Sequence, residues 1–180
     1  MKRPFFTAIL ASAAAFSVQP AQAEPVFSVT SPIIYDTGDS WSQQGRRYRL
    51  YGVQACIRGT VFVSAGGAKG DCGAASMAML AGVFESLQVN CTPIAVSQDG
   101  ATIVICAGVS NDRPLDIGGA MISSGFAFAA EKPDGAPVNL AYFASEIRAK
   151  SDHAGLWSAT SFTHPVQMLR ALARQAKPQP

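Results

Sequence analysis

The turn at Gln98-Asp99-Gly100 constrains this chain more than any other feature. It separates two β-rich runs, residues 87–96 and 102–107, and an Asp-Gly pair between such runs is a strong hairpin signal because it accepts the positive φ of a tight turn. Each run carries one cysteine. Cys91 lies eight residues before Asp99 and Cys106 seven after it. Antiparallel strands symmetric about the turn bring the two together, so Cys91–Cys106 is the expected disulfide. Cys56–Cys72 is then what remains, and it would close a glycine-rich segment. Four cysteines allow three pairings. Metal binding is the competing reading, weakened by the lack of any Cys-x-x-Cys pair and by the distance of His153 and His164 from every cysteine.

Disulfides require an oxidising compartment, and the N-terminus agrees. Lys2 and Arg3 precede an uncharged, alanine-rich run from Phe5 to Val18, and Ala21-Gln22-Ala23 supplies a small-x-small cleavage pattern. Residues 1–23 therefore read as a secretory signal peptide cut near Ala23, which makes the expected location periplasmic or secreted. The apolar run is shorter than the roughly 20 residues of a transmembrane helix, and no later segment is long and apolar enough, so no membrane span is expected after cleavage. The 157 remaining residues suffice for one domain. The chain has 14 basic and 12 acidic residues; with Lys2 and Arg3 removed the two balance. Residues 24–169 hold 9 bases and 12 acids, and the rest of the basic charge is Arg170, Arg174 and Lys177 in the tail. A protein living on phosphate contacts usually shows a basic face; without one here, nucleic acid is not the expected partner, although Arg46, Arg47, Arg49 and Arg58 sit close in sequence.

Along the chain, residues 26–35 read as a strand with Pro32 marking an edge or bulge, 40–43 and 47–54 as two more joined by a Gln44-Gly45 turn, and 58–71 as a flexible loop. Residues 73–86 read as a helix with Met77, Leu80, Ala81 and Phe84 on its apolar face. A short helix over 115–124 carries Leu115, Met121 and Ile122. A third over 139–150 has the stripe Leu140, Phe143, Ala144 and Ile147 toward the core and a Glu146–Lys150 pair, with Gly155 ending it. Residues 165–175 suggest a last helix, and the tail after Gln175 reads as disordered.

This order of elements, together with Gly38-Asp39-Ser40, Tyr48-Arg49-Leu50-Tyr51-Gly52-Val53, Cys72-Gly73-Ala74-Ala75, Val89-Asn90-Cys91, Asp116-Ile117-Gly118-Gly119-Ala120-Met121, Ser124-Gly125-Phe126-Ala127 and Gly155-Leu156-Trp157, resembles the staphylococcal nuclease-like family over residues 26–158. The resemblance implies an α+β, mainly β fold: a five-stranded OB barrel with three helices, spanning 24–160, followed by a C-terminal helix and tail over 161–180. It also implies calcium-dependent phosphodiester hydrolysis, in which a cation neutralises the phosphate, a glutamate activates water and two arginines bind the developing charge. Carried over by position, Asp39 matches a metal carboxylate and Arg49 the first arginine. The second metal carboxylate falls on Gln54, the glutamate on Ile57 and the second arginine on Ala101, while the nucleotide-stacking tyrosines fall near Glu131 and Pro133. Isoleucine accepts no proton and alanine binds no phosphate. Asp71 is the nearest acid that might swing in, and turn chemistry and a surface ion pair are the plainer roles for Asp39 and Arg49.

The reading therefore leans away from catalysis, toward an exported accessory or binding module with no cofactor. The family's small exported members that accompany bacterial exopolysaccharide machinery imply envelope polysaccharide or biosynthesis proteins as partners, in succinoglycan-type production. Trp41, Tyr51 and Tyr142 are the aromatic candidates for a glycan surface, and Asp36 with Asp39 or Asp112 with Asp116 the candidate acid pairs for glycoside hydrolysis. A calcium-dependent nuclease is the alternative, with calcium as its cofactor.

Overall fold

The computed structural model describes residues 25–175. The segment read as a signal peptide, residues 1–23, and the segment after Gln175 lie outside the described residues. The described residues form a mixed α+β structure, mostly strands, with one strongly curled, half-barrel sheet and four α-helices.

Two short strands open the chain, β1 (Phe27–Ser28) and β2 (Ile33–Thr37). The single strand expected over 26–35 is therefore broken, and Pro32, which has no N–H to give a ladder, stands at the break behind a cis peptide bond. β3 (Ser40–Gln43) and β4 (Arg46–Leu50) follow as a hairpin over Gln44 and Gly45, both at positive φ. β4 stops at Leu50 rather than running to Gln54. Gly52 then takes a φ of +69°, and the chain leaves the main sheet as β5 (Val53–Ala55). The segment 58–71, expected as a loop, contains a further hairpin, β6 (Val61–Val63) with β7 (Lys69–Asp71). Val61, Phe62 and Val63 pair with Asp71, Gly70 and Lys69 across the Ser64–Ala68 turn.

Helix α1 (Cys72–Ser86) is capped by Asp71, whose carboxylate accepts the Ala74 N–H at 3.0 Å. Its buried face runs through Ser76, Leu80, Val83 and Phe84, so the helix is rolled by about one residue from the expected Met77–Ala81 line. β8 (Asn90–Val96) and β9 (Thr102–Ser110) form the expected hairpin. β9 runs on into a turn at Asn111 and Asp112, both at positive φ, and returns as β10 (Arg113–Asp116). The helix expected from residue 115 thus begins only at α2 (Ile117–Ser123), where the Asp116 carboxylate accepts the Gly119 N–H. β11 (Ala127–Ala129) pairs with β5. α3 (Leu140–Ser151), a 3-10 turn at Gly155–Ser158 and α4 (Pro165–Gln175) complete the chain.

The sheet order is β1-β8-β9-β4-β3-β2, with β10 also on β9 and β4 parallel to β9. The two outermost strands, β1 and β2, are neighbouring segments of chain, so the sheet must curl to place them at opposite edges. Gln43 laces the gap between them. Its amide donates to Ser28 O at 3.0 Å and Thr30 Oγ1 at 3.2 Å, and accepts the Thr30 N–H at 3.1 Å.

Trp41, Tyr48, Leu50, Leu80, Val104, Ile117 and Met121 fill the hollow. Cys91 and Cys106 are register partners and are bonded, and Cys56–Cys72 is the second disulfide. A smaller cluster packs around Cys56, Cys72, Phe128 and Leu156, where Trp157, Phe162 and His164 tie the C-terminal segment to the body.

The third helix overturns its expected packing. Leu140, Phe143 and Ile147 are 75%, 40% and 55% exposed, whereas Tyr142 and Ala149 are buried. Gly52 and Gly118 make room for the Tyr142 ring; a Cβ on Gly118 would stand 2.5 Å from the phenol oxygen. Glu146 does not pair with Lys150. It accepts the Ala129 N–H at 2.5 Å and meets His164 at 3.0 Å, while Lys150 lies over the Trp157 ring. Gly155 is not the cap either: α3 ends at Ser151 with Asp152 following, and Gly155 instead lies flat against the Ser124–Gly125 backbone, where a Cβ would meet Ser124 O at 2.4 Å. Among the described residues no helix is long and apolar enough to cross a membrane.

Candidate functional site

Asp39 sits in the tight connection between β2 and β3. Gly38 beside it lies against α1, where a Cβ would be 2.3 Å from Ser76 Oγ. This close approach turns the Asp39 carboxylate inward, leaving the residue 4% exposed. Its Oδ1 accepts the Thr37 hydroxyl, and the Ala55 N–H also reaches the carboxylate. Burial raises the Asp39 pKa, opposed by the Thr37 hydrogen bond and by the charge of Arg49.

Arg49 lies one strand away, opposite Ser40 on one side and Ile103 on the other. Tyr48 and Leu50 point into the core, so the alternation of β4 puts Arg49 on the outer face. Its Nε is buried without an acceptor, and its charge acts through space on both Asp39 and Asp99. Asp99 itself takes the Arg47 guanidinium in an ion pair. The structure therefore brings Asp39 and Arg49 together as neighbours without a direct bond between them.

The remaining positions carried over from the resemblance hold no reactive group. The Gln54 amide donates to Ala55 O at 2.9 Å. The carbonyl of Ile57 closes a turn with the Thr60 N–H and hydroxyl. Ala101 is buried; its carbonyl accepts the Ser97 N–H and its own N–H donates to Ser97 Oγ. Asp71 is occupied as the α1 cap and by the Gly59 N–H, which, with Ala74, hold its carboxyl below the usual range. A calcium ion takes six to eight oxygens, with several carboxylates among them. Asp39 offers one carboxylate already engaged inside the protein, and no group of three His, Cys, Asp or Glu side chains that could hold a metal occurs among the described residues. This donor set does not fit calcium.

The aromatic candidates for a glycan surface also resolve. Trp41 and Tyr142 are core residues. The Tyr142 hydroxyl donates to Asp116 Oδ1 at 2.9 Å, and burial together with this bond pushes the phenol pKa far up. Tyr51 is half-buried, with its hydroxyl toward Val138 O at 3.4 Å. The acid pairs do not converge. Asp36 is exposed and takes the Ser42 hydroxyl while Asp39 faces inward. Asp112 sits in a surface turn while Asp116 caps α2.

Sequence reasoning missed a cleft of about 760 Å³ between α4 and the 130–135 loop. Gln54, Glu131 and Pro133 line it together with α4 residues. Its one sequence signal was the basic, amphipathic pattern of residues 165–175, which shows a face but not what the face meets. No family model matches the chain, and no curated protein matches it in sequence.

Proposed function

We propose that this chain is an exported, non-catalytic module on a degenerate staphylococcal nuclease-like OB fold, acting as a binding or accessory protein in exopolysaccharide production of the succinoglycan type. The barrel reading is supported by the sheet order: β1 with β2 make one interrupted first strand, β3 and β4 complete a meander, and β9 runs parallel to β4 and antiparallel to β8. The observation that carries the loss of catalysis is the filling of the reactive positions. Gln54, Ile57 and Ala101 are committed to backbone turns and packing, and Asp39 is turned inward. Removal of one charge-stabilising donor alone costs on the order of 10² to 10³ in rate. Export by residues 1–23 is part of this reading and is supported by the two disulfides; envelope polysaccharide or its biosynthesis proteins would then be the partners within reach.

The test is incubation of the purified protein with single-stranded DNA and calcium beside an Asp39→Ala control. No cleavage is expected. Cleavage that disappears in the control would overturn the proposal and favour a calcium-dependent nuclease, the reading that Arg49, with no acceptor at its buried Nε and its charge acting on Asp39, keeps open. The polysaccharide role is tested by calorimetry with acidic envelope oligosaccharides; absence of heat with all of them would count against it.

A further inference from the structure

The cleft beneath α4 joins aliphatic and basic side chains. Its floor is aliphatic, from Pro133, Val166, Leu169 and Ala173. Three cations stand around it. Arg170 is committed to the protein, ion-paired to Glu131 and reaching Gly135 O at 3.5 Å, so it holds α4 against the 130–135 loop. Among the described residues Lys132 has no side-chain hydrogen bond or ion pair, and Arg174 spends only its Nε, on Arg170 O at 3.4 Å. The ammonium of Lys132 and the terminal fork of Arg174 are left for a ligand. Of the two acids on the lining, Glu131 is neutralised by Arg170 and Asp134 accepts the Ala136 N–H at 2.9 Å. Residues 24–169 carry an excess of acids over bases, whereas α4 carries arginines and no acid. Lys132 and Arg174 thus stand at the rim of this aliphatic cleft with donors to spare.

We propose that the cleft binds a small amphipathic anion: one carboxylate or phosphate head on an aliphatic body. The volume lies in the range of roughly 300–1,000 Å³ of small-molecule sites. An arginine fork takes a planar carboxylate or a phosphate in two parallel hydrogen bonds, and the free Oε1 of Gln54 adds an acceptor for a hydroxyl on the ligand. No aromatic ring lines the cleft, so a nucleobase finds no stacking platform. Two free cations suit one head group, not a polyanion that needs a basic face. The cleft depends on α4, beyond residues 26–158, so the proposal stands or falls independently of the disarmed-nuclease reading.

Calorimetry on the purified, oxidised protein tests it with decanoate and decyl phosphate, against glucuronate and inorganic phosphate as heads without the body and decanol as body without the head. Saturable one-to-one binding of decanoate, decyl phosphate or both is expected, the ratio between them identifying the preferred head, with the controls at least about tenfold weaker. Lys132→Gln and Arg174→Gln should each weaken binding about tenfold while leaving the melting temperature unchanged, because both side chains are exposed. Leu169→Asn should weaken decanoate binding without affecting the already weak binding of glucuronate. Absence of saturable heat with both probes, or affinities unchanged in both charge variants, overturns the proposal. Neither result bears on DNA cleavage.

Discussion

Asp39 shows how burial can commit a carboxylate that its sequence setting presents as a turn residue. Its carboxyl is buried and its pKa is raised, chiefly by burial. The folded state therefore holds this proton more tightly than the unfolded chain. The resulting contribution to stability is fully present below the unfolded value and is lost as pH rises through the raised folded value. Asp39→Asn, which can still accept from Thr37 and the Ala55 N–H, should abolish this component. Urea midpoints of the variant should gain on those of the parent as pH is raised from about 3.5 to neutrality; a constant difference across that range would refute the assignment. Tyr142 belongs to the same scale. Gly118→Ala drives a Cβ into the phenol oxygen and should cost about 1–3 kcal/mol. Tyr142→Phe removes the bond to Asp116 and should cost about 1–1.5 kcal/mol, both read by chemical denaturation.

Helix α3 carries the clearest lesson at the level of elements. Its strongest apolar stripe faces solvent, and its buried face is Tyr142, Ala149 and the His164-bonded Glu146. Leu140→Gln and Ile147→Gln should therefore change stability by less than about 0.5 kcal/mol, whereas Ala149→Leu, which must overpack a closed interface, should cost about 1–3 kcal/mol. Thermal melts of the three variants check this; a large loss from Ile147→Gln would restore the inward stripe. Periodicity reports that a helix has an apolar side. It does not report which side the body can receive, and here Gly52 and Gly118 open a slot that only the Tyr142 ring fills. β6, β7 and β10 escaped sequence reading for a related reason. Each is three or four residues long and exists through its partner: β7 for β6, and β9 for β10.

Across the whole molecule, the two disulfides divide the labour. Cys91–Cys106 staples the β8–β9 hairpin inside the main core, and Cys56–Cys72 fixes the β6–β7 hairpin and the start of α1 to the second cluster. The closed segments are similar, with separations of 15 and 16 residues. Replacing either pair with serines should cost about 3 kcal/mol by loop entropy, measurable as urea midpoints against the parent, and peptide mapping without reductant should recover these two pairings alone. Phe162 and His164, just before α4, pack on Phe128 and Trp157, and Pro165 and Val166 at its start are buried, so the cleft wall is anchored at its N-terminal end.

The pairing of Cys91 with Cys106, the β3–β4 turn at Gln44-Gly45 and the positions of the four helices were legible in the sequence because each is local: turn chemistry, caps and apolar periodicity act within a few residues. That Ile57 and Ala101 carry no ionisable group is likewise read from the sequence, since it is a matter of side-chain chemistry alone. The inward turn of Asp39, the outward face of α3 and the cleft beneath α4 were decided only by tertiary structure. Each depends on which surfaces meet across dozens of residues — Gly38 on Ser76, Gly118 on Tyr142, Arg170 on Glu131 — and no local pattern encodes the shape of the partner.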